Sequence, residues 1–149
     1  MQAPDTPGEL KARALRYLAR REHSRAELAR KLAPRAESPQ ALEALLDELA
    51  ARRQLSDERY AEARAHSLAR KYGAARIHHD LKSKGISDHI IERLSREDEI
   101  ERARAVLARK YRQPADTPEE RAKRGRFLQG RGFPMDIITR LLRGEEDAA

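Results

Sequence analysis

Residues 68–71 read Leu-Ala-Arg-Lys, and this tetrad decides the fold because it recurs along the chain. It stands at 18–21 as Leu-Ala-Arg-Arg and at 107–110 as Leu-Ala-Arg-Lys. One such tetrad is unremarkable in a sequence rich in Ala, Arg and Leu. Three copies, each followed by similar downstream sequence, are typical of a repeat architecture.

The sequence that follows the tetrads repeats as well. The matched positions at an offset of 47 are Leu81 with Leu128, 84–86 (Lys-Gly-Ile) with 131–133 (Arg-Gly-Phe), 90–91 (Ile-Ile) with 137–138 (Ile-Ile), and Leu94 with Leu141. At an offset of 49, Leu32, Leu42 and Leu45 of the first repeat match Leu81, Ile91 and Leu94 of the second. About eight extra residues near 112–119 lengthen the loop after the third tetrad. The repeating element is therefore a set of three helices, too small to bury a core alone, so neighbouring sets must stack.

This pattern predicts an all-α protein made of three tandem three-helix, helix-turn-helix-like repeats that form an elongated, curved array. The predicted repeats cover residues 1–55, 56–97 and 98–144, and an acidic tail covers residues 145–149. β-branched residues are scarce and no segment alternates like a strand, so about nine helices are expected.

Helix boundaries are marked by caps and glycines. Thr6, Ser24 and Thr117 each precede a Glu by three positions, which predicts three capping boxes. The glycines expected to end helices are Gly73, Gly85, Gly132 and Gly144. Ala36 stands where the later repeats have glycine, so a looser turn is expected in the first repeat.

The composition excludes several classes of protein. Among 149 residues, 38% are charged, 4% are aromatic and none is Cys, which excludes disulfides and thiol chemistry. No apolar run approaches the ~20 residues of a membrane span, and no signal peptide is recognisable, so a cytoplasmic protein is expected. The net charge of +7 favours a polyanionic or acidic partner.

The chain resembles the RecX family, regulators of the RecA recombinase. The resemblance is carried by residues 46–49 (Leu-Asp-Glu-Leu), 55–61 (Leu-Ser-Asp-Glu-Arg-Tyr-Ala), 72–73, 84–86 and 131–133. It covers roughly residues 10–144 and depends on the order of these segments rather than on one diagnostic motif. The family usually has Gly near Ala36 and near Arg53, and both departures concern turns.

This resemblance implies a protein without enzymatic activity or cofactor. It implies a monomeric negative regulator of homologous recombination and DNA repair that binds the RecA–DNA filament and inhibits its ATPase and strand exchange. Many family members also bind single- or double-stranded DNA without sequence specificity, so DNA is a second expected partner.

The expected contact residues lie in two basic patches, residues 70–84 and 102–143. Positive side chains there suit phosphates or carboxylates, although cations near helix ends also complement the helix dipole. The predicted filament- or DNA-binding residues are Arg70, Lys71, Arg76, Lys82, Lys84, Arg109, Lys110, Arg121, Lys123, Arg124, Arg126 and Arg131. Tyr72 and Tyr111 are expected to pack, with stacking on bases as the alternative, and Phe127 and Phe133 to lie in the core.

Other functions remain alternatives. A helix-turn-helix DNA-binding regulator would need residues that read base edges, yet the chain has no Asn. A helical-repeat adaptor for an acidic protein, with no role on nucleic acid, is a further alternative. Residues 78–80 (His-His-Asp) are a poor metal site because adjacent histidines point about 100° apart on a helix. No catalytic constellation is present.

Overall fold

The computed structural model describes residues 3–94 and 99–148, with side chains through residue 144. All regular structure in these residues is helical, as the sequence predicts. The helices are α1 Pro7–Arg20, α2 Arg25–Leu32, a 3-10 turn Ala33–Arg35, α3 Pro39–Ala51, α4 Asp57–Leu68, α5 Ala74–Ser83, α6 Asp88–Arg93, α7 Glu99–Lys110, α8 Pro118–Gly130 and α9 Met135–Ala148.

Hydroxyl caps begin the helices where expected, but only one capping box is complete. At Thr6 the side chain accepts from the Glu9 amide, and the Glu9 carboxylate accepts from the Thr6 amide. Ser24 caps α2 through the Glu27 amide, whereas the Glu27 carboxylate binds Arg21. Thr117 also caps its helix, so the half-formed boxes correct the prediction without moving any helix start.

Glycine ends two helices with the expected backbone. Gly85 has φ +83° after α5, and Gly132 has φ +93° after α8, a region that favours glycine. Ala36 instead has φ −77°, so the first repeat turns through its 3-10 segment. The stop predicted at Gly144 is wrong, because α9 continues through it to Ala148. The side chains of the predicted acidic tail lie outside the described residues.

The chain forms two compact units. The first comprises Met1–Ala63 and Leu81–Arg93, and the second comprises Arg64–Asp80 and Leu94–Ala149. The boundary therefore passes through α4 and α5, and it also falls between Arg93 and Leu94, near the predicted end of the second repeat. The repeat boundaries predicted at 55/56 and 97/98 stay predictions.

Each unit has its own apolar core, built from the periodic residues. In the first, Leu28, Leu32 and Leu49 are fully buried, and the other leucines of α3 are buried as well. In the second, Leu128 and Ile138 pack with α7 residues and with Phe133, which confirms the core prediction for Phe133.

In the first unit, the turn before α2 is joined to the end of α5. The Ser24 hydroxyl donates to the Lys84 carbonyl at 2.9 Å, and a Cβ on Gly85 would lie 2.6 Å from Ala26 Cβ. Asp57, at the start of α4, accepts from the Arg25 amide at 2.7 Å and so satisfies a free N–H at the start of α2.

The second unit repeats this arrangement one repeat later. The Gly73 amide donates to the Arg131 carbonyl at 2.9 Å, and a Cβ on Gly73 would lie 2.6 Å from the Gly132 backbone. Glu99, at the start of α7, accepts from the Ala74 amide at 2.8 Å. The internal sequence repeat is thus matched by a repeated junction between successive three-helix sets.

Candidate nucleic-acid interface

Cationic and aromatic side chains alternate on one surface of the second unit. We call this surface the basic–aromatic cluster; its members are Arg70, Tyr72, Arg76, Arg109, Lys110, Tyr111, Phe127 and Arg131. They come from the segment between α4 and α5, the first turn of α5, the end of α7 with the next residue, and the end of α8 with the next residue. The junction between the 73–75 and 131–132 backbones brings these segments together.

Two arginines face the ring of Tyr72. The guanidinium carbons of Arg76 and Arg131 lie 4.8 and 5.5 Å from the ring centroid. Arg76 also donates to the Gly130 carbonyl at 3.3 Å, which fixes its direction. Tyr72 is half-buried, so its ring lies near the surface of the unit. Attraction between this ring and the two guanidinium groups favours their position beside it.

A second set surrounds Phe127. Lys110 Nζ lies 4.4 Å and the Arg131 guanidinium 5.2 Å from the Phe127 ring centroid. Tyr111 meets this ring edge-on, with centroids 6.0 Å apart and an interplanar angle of 83°. Phe127 is half-buried and packs against the core of the second unit, so the core prediction for it is confirmed only in part.

The cations of the cluster have no acidic partner among the described side chains. None of Arg70, Arg76, Arg109, Lys110 and Arg131 pairs with a carboxylate in the part of the chain whose side chains are described. Arg109 Nη1 donates instead to the Arg70 backbone carbonyl at 2.7 Å. Guanidinium groups fixed in this way keep further N–H donors available for an anion.

Basic residues of the first unit are largely paired with acids. Asp5 binds Arg13 at 2.8 Å and Arg35 at 2.9 Å, and hydrogen bonds from these two arginines lower the pKa of the Asp5 carboxyl to about 2. A hydrogen bond from Arg21 lowers the pKa of Glu27 to about 2 in the same way. By sequence, the first unit holds 15 bases and 13 acids and the second holds 17 and 12, so most of the net charge belongs to the second.

The remaining predicted residues lie elsewhere. Lys82 and Lys84 belong to the first unit, where Lys82 pairs with Asp88 at 3.2 Å. In the second unit, the predicted residues outside the cluster are Lys71, Arg121, Lys123, Arg124 and Arg126. Lys71, Lys123 and Arg126 are exposed, and Arg121 is half-buried. Five of the twelve predicted residues thus form one cluster.

Arg124 differs from the others because it is buried. Arg124 is only 6% exposed, and its guanidinium carbon lies 4.4 Å from the centroid of the Tyr111 ring. At the internal offset of 47, Arg124 corresponds to Ile77 of the preceding repeat, which is a buried core residue. In Arg124 a buried guanidinium, packed against the face of the Tyr111 ring, stands where the preceding repeat has an apolar side chain.

Phe127 also faces cations with its ring, which was not predicted from the sequence. The available signal was the spacing of Phe127 and Arg131, four residues apart on one helix face. The adjacency of Lys110 and Tyr111 was a second signal.

The described residues give no support to a metal site. No three His, Asp or Glu side chains converge there to hold an ion. Asp80 of the His-His-Asp segment is engaged with Arg64 at 2.9 and 3.0 Å. None of the helices described is long and apolar enough to cross a membrane.

Comparison with known proteins identifies all three repeats. Family models described as the first, second and third three-helix domains of RecX match residues 11–49, 56–94 and 97–142. A regulatory protein RecX from Leptothrix cholodnii is 49% identical over 137 residues, covering 90% of this chain and 87% of the relative. One from Ralstonia nicotianae is 44% identical over 149 residues, covering 98% and 94%.

A solved structure supports the same fold. The crystal structure of RecX from Lactobacillus salivarius superposes with a TM-score of 0.81 at 23% identity, covering 94% of this chain and 96% of that one. The predicted all-α class with three tandem three-helix domains is confirmed, as is the resemblance noted in the sequence. The chain belongs to the RecX family.

Proposed function

We propose that this protein is a negative regulator of homologous recombination and DNA repair that binds the RecA–DNA filament and inhibits its ATPase and strand exchange. It acts as a monomer in the cytoplasm and by binding, without catalysis or a cofactor. The relatives are named as regulatory proteins, and the family resemblance supplies RecA as the target.

The observation that carries the proposal is the basic–aromatic cluster. Its five cations lack carboxylate partners among the described side chains, so a polyanion can bind them without displacing an internal acid. Rings beside them offer surfaces on which unpaired bases stack, as in proteins that bind single strands without sequence preference. The cluster therefore suits the DNA of a recombinase filament better than the base edges of a duplex.

The test compares two charge-matched double variants. Arg76→Glu with Lys110→Glu reverses two exposed cations of the cluster. Arg16→Glu with Arg30→Glu reverses two exposed cations of the first unit that make no ion pair among the described side chains. Both change the net charge equally, so a difference between them reports position rather than total charge.

We expect wild type and the Arg16/Arg30 variant to suppress the single-strand-dependent ATPase and strand exchange of RecA at similar concentrations. The Arg76/Lys110 variant should need about tenfold more protein, because two charge-assisted contacts are lost. Suppression by all three proteins at equal concentration would refute the assignment of the cluster. No suppression by wild type would refute the regulatory function itself.

Direct DNA binding is measured separately by anisotropy of a labelled oligo-dT strand. Each phosphate contact contributes about 0.7 to the slope of log affinity against log salt on single strands. The Arg76/Lys110 variant should therefore show a slope smaller by about 1.4, whereas the control keeps the wild-type slope. Strong preference for one duplex sequence would favour the helix-turn-helix regulator instead.

A further inference from the structure

A groove separate from the basic–aromatic cluster runs between α8 and α9 of the second unit. Its volume is about 540 Å³, within the range of sites that hold small ligands or side chains. The apolar part of its lining comes from Ala122, Gly125, Met135, Ile138 and Leu142. Met135 is 57% exposed, a large fraction for an apolar side chain that no function yet explains.

Gly125 keeps the groove open. It lies inside α8, where glycine is about 1 kcal/mol less favourable than alanine, and its φ is not positive. A Cβ there would stand 3.4 Å from Leu142 Cδ1 and 3.6 Å from Ile138 Cγ2, which is ordinary contact. Neither backbone geometry nor crowding therefore requires glycine at this position. Its effect is to leave space above Ile138 and Leu142.

Three arginines stand at the rim of the groove. Arg121, Arg126 and Arg143 line it together with Gln129, Thr139 and the apolar residues, and no carboxylate among the side chains described through residue 144 contributes to the lining. None of the three makes an ion pair with the side chains described through residue 144. The groove thus combines apolar side chains with three arginines that make no ion pair among the described side chains.

We propose that this groove is a docking site for an acidic peptide segment that carries one bulky apolar side chain. The apolar side chain occupies the space above Gly125, and flanking carboxylates bind the rim arginines, whose guanidinium forks match carboxylates in paired hydrogen bonds. The apolar floor favours a peptide over a nucleic-acid backbone, which offers charge but no side chain to bury. Met135 adapts to the shape of the inserted group through its flexible thioether.

The test uses fluorescein-labelled twelve-residue peptides in anisotropy titrations with the full chain. The first peptide consists of Glu and Asp with a central Leu-Phe pair, the second has Ser in place of Leu-Phe, and the third has Lys in place of every acid. A labelled dT strand is titrated in parallel. We expect the first peptide alone among the three to bind, with backbone amide NMR shifts concentrated at Gly125 and Thr139.

Two pairs of variants locate the binding. Gly125→Leu fills the floor, and Gly130→Ala changes a glycine of the same helix with nothing within 4 Å. Arg143→Glu reverses the rim, and Arg140→Glu reverses an exposed neighbour on α9 that does not line the groove. Gly125→Leu and Arg143→Glu should each weaken peptide binding about tenfold, and the two controls should leave it unchanged.

The possible results separate the alternatives. Equal binding of the Ser peptide would show that charge alone is recognised and would overturn the proposal, as would unchanged binding by Gly125→Leu or Arg143→Glu. If Gly125→Leu melts at a lower temperature than wild type, its loss of peptide binding could come from unfolding. The binding of the peptide by Arg143→Glu then decides whether the groove is the docking site. Loss of dT binding in the groove variants, without peptide binding by wild type, would assign the groove to nucleic acid. RecA inhibition is not the readout, so failure here leaves the proposed function standing.

Discussion

Replacing Gly85 with alanine tests the junction between the end of α5 and the start of α2. At φ +83° a non-glycine residue loses about 1–2 kcal/mol. The added Cβ would stand 2.6 Å from Ala26 Cβ, about 1 Å inside normal contact, and relief of such overlap costs about 1–3 kcal/mol. Alanine restricts the unfolded chain, which returns about 0.4–1 kcal/mol. Gly85→Ala should therefore lower the free energy of unfolding by about 2–4 kcal/mol.

A double-mutant cycle separates backbone strain from side-chain overlap. Ala26→Gly alone should cost about 1 kcal/mol through helix propensity. Because Ala26 Cβ is the one atom within 4 Å of the added methyl group, the double variant should lose the overlap and keep the strain. The two changes should then couple favourably by about 1–3 kcal/mol.

The assay is urea unfolding followed by circular dichroism, with the midpoint and slope fitted for all four proteins. Coupling below about 0.5 kcal/mol, the usual error of additivity, would refute the close approach of Gly85 and Ala26. A neutral Gly85→Ala would refute the argument from φ as well.

Three further predictions concern single positions. Arg53 has φ +60°, so Arg53→Gly should raise the free energy of unfolding by about 0.5–1 kcal/mol in urea titrations, and a decrease would contradict this. Burial lowers the pKa of His23, whose Nε2 lies 2.9 Å from Lys31 Nζ. The contribution of neutral His23 to the free energy of unfolding should therefore be fully present above pH 6.5 and be lost as the pH falls through the lowered pKa. His23→Gln should reduce this dependence of the melting temperature on pH. Arg124→Glu should lower the free energy of unfolding by about 2–4 kcal/mol, because it places a carboxylate against the Tyr111 ring. The exposed control Lys123→Glu should change the free energy of unfolding by no more than about 0.5 kcal/mol. Equal melting temperatures of the two variants would contradict the structural role of Arg124.

The helical repeats could be predicted from the sequence because their signals are local. A hydroxyl cap such as Ser38, a leucine stripe such as that of α3, and a glycine such as Gly132 each act within a few residues. The error at Gly144 has the same origin. A glycine permits a helix to end but does not require it, and α9 continues there at the modest cost of glycine in a helix.

The candidate site could be predicted only in part, because it depends on contacts between distant segments. Composition marked the basic patches, but it could not show that Arg76 and Arg131, 55 positions apart, share the ring of Tyr72. Nor could it show which cations are neutralised. Lys82 pairs with Asp88, whereas Lys110 faces an aromatic ring, and both are simply basic residues near a helix end in the sequence.

The division of the middle repeat between two compact units determines which fragments of the chain keep a whole unit. Residues 64–80 belong to the second unit and residues 81–93 to the first. The boundaries of the compact units therefore do not coincide with the boundaries of the sequence repeats. A fragment that ends at residue 55 keeps one whole repeat yet lacks the 81–93 segment that completes its unit. A fragment that keeps residues 1–93 includes that segment. We therefore expect the smallest piece that folds by itself to be longer than one repeat, because a single repeat lacks part of the segments that complete its compact unit.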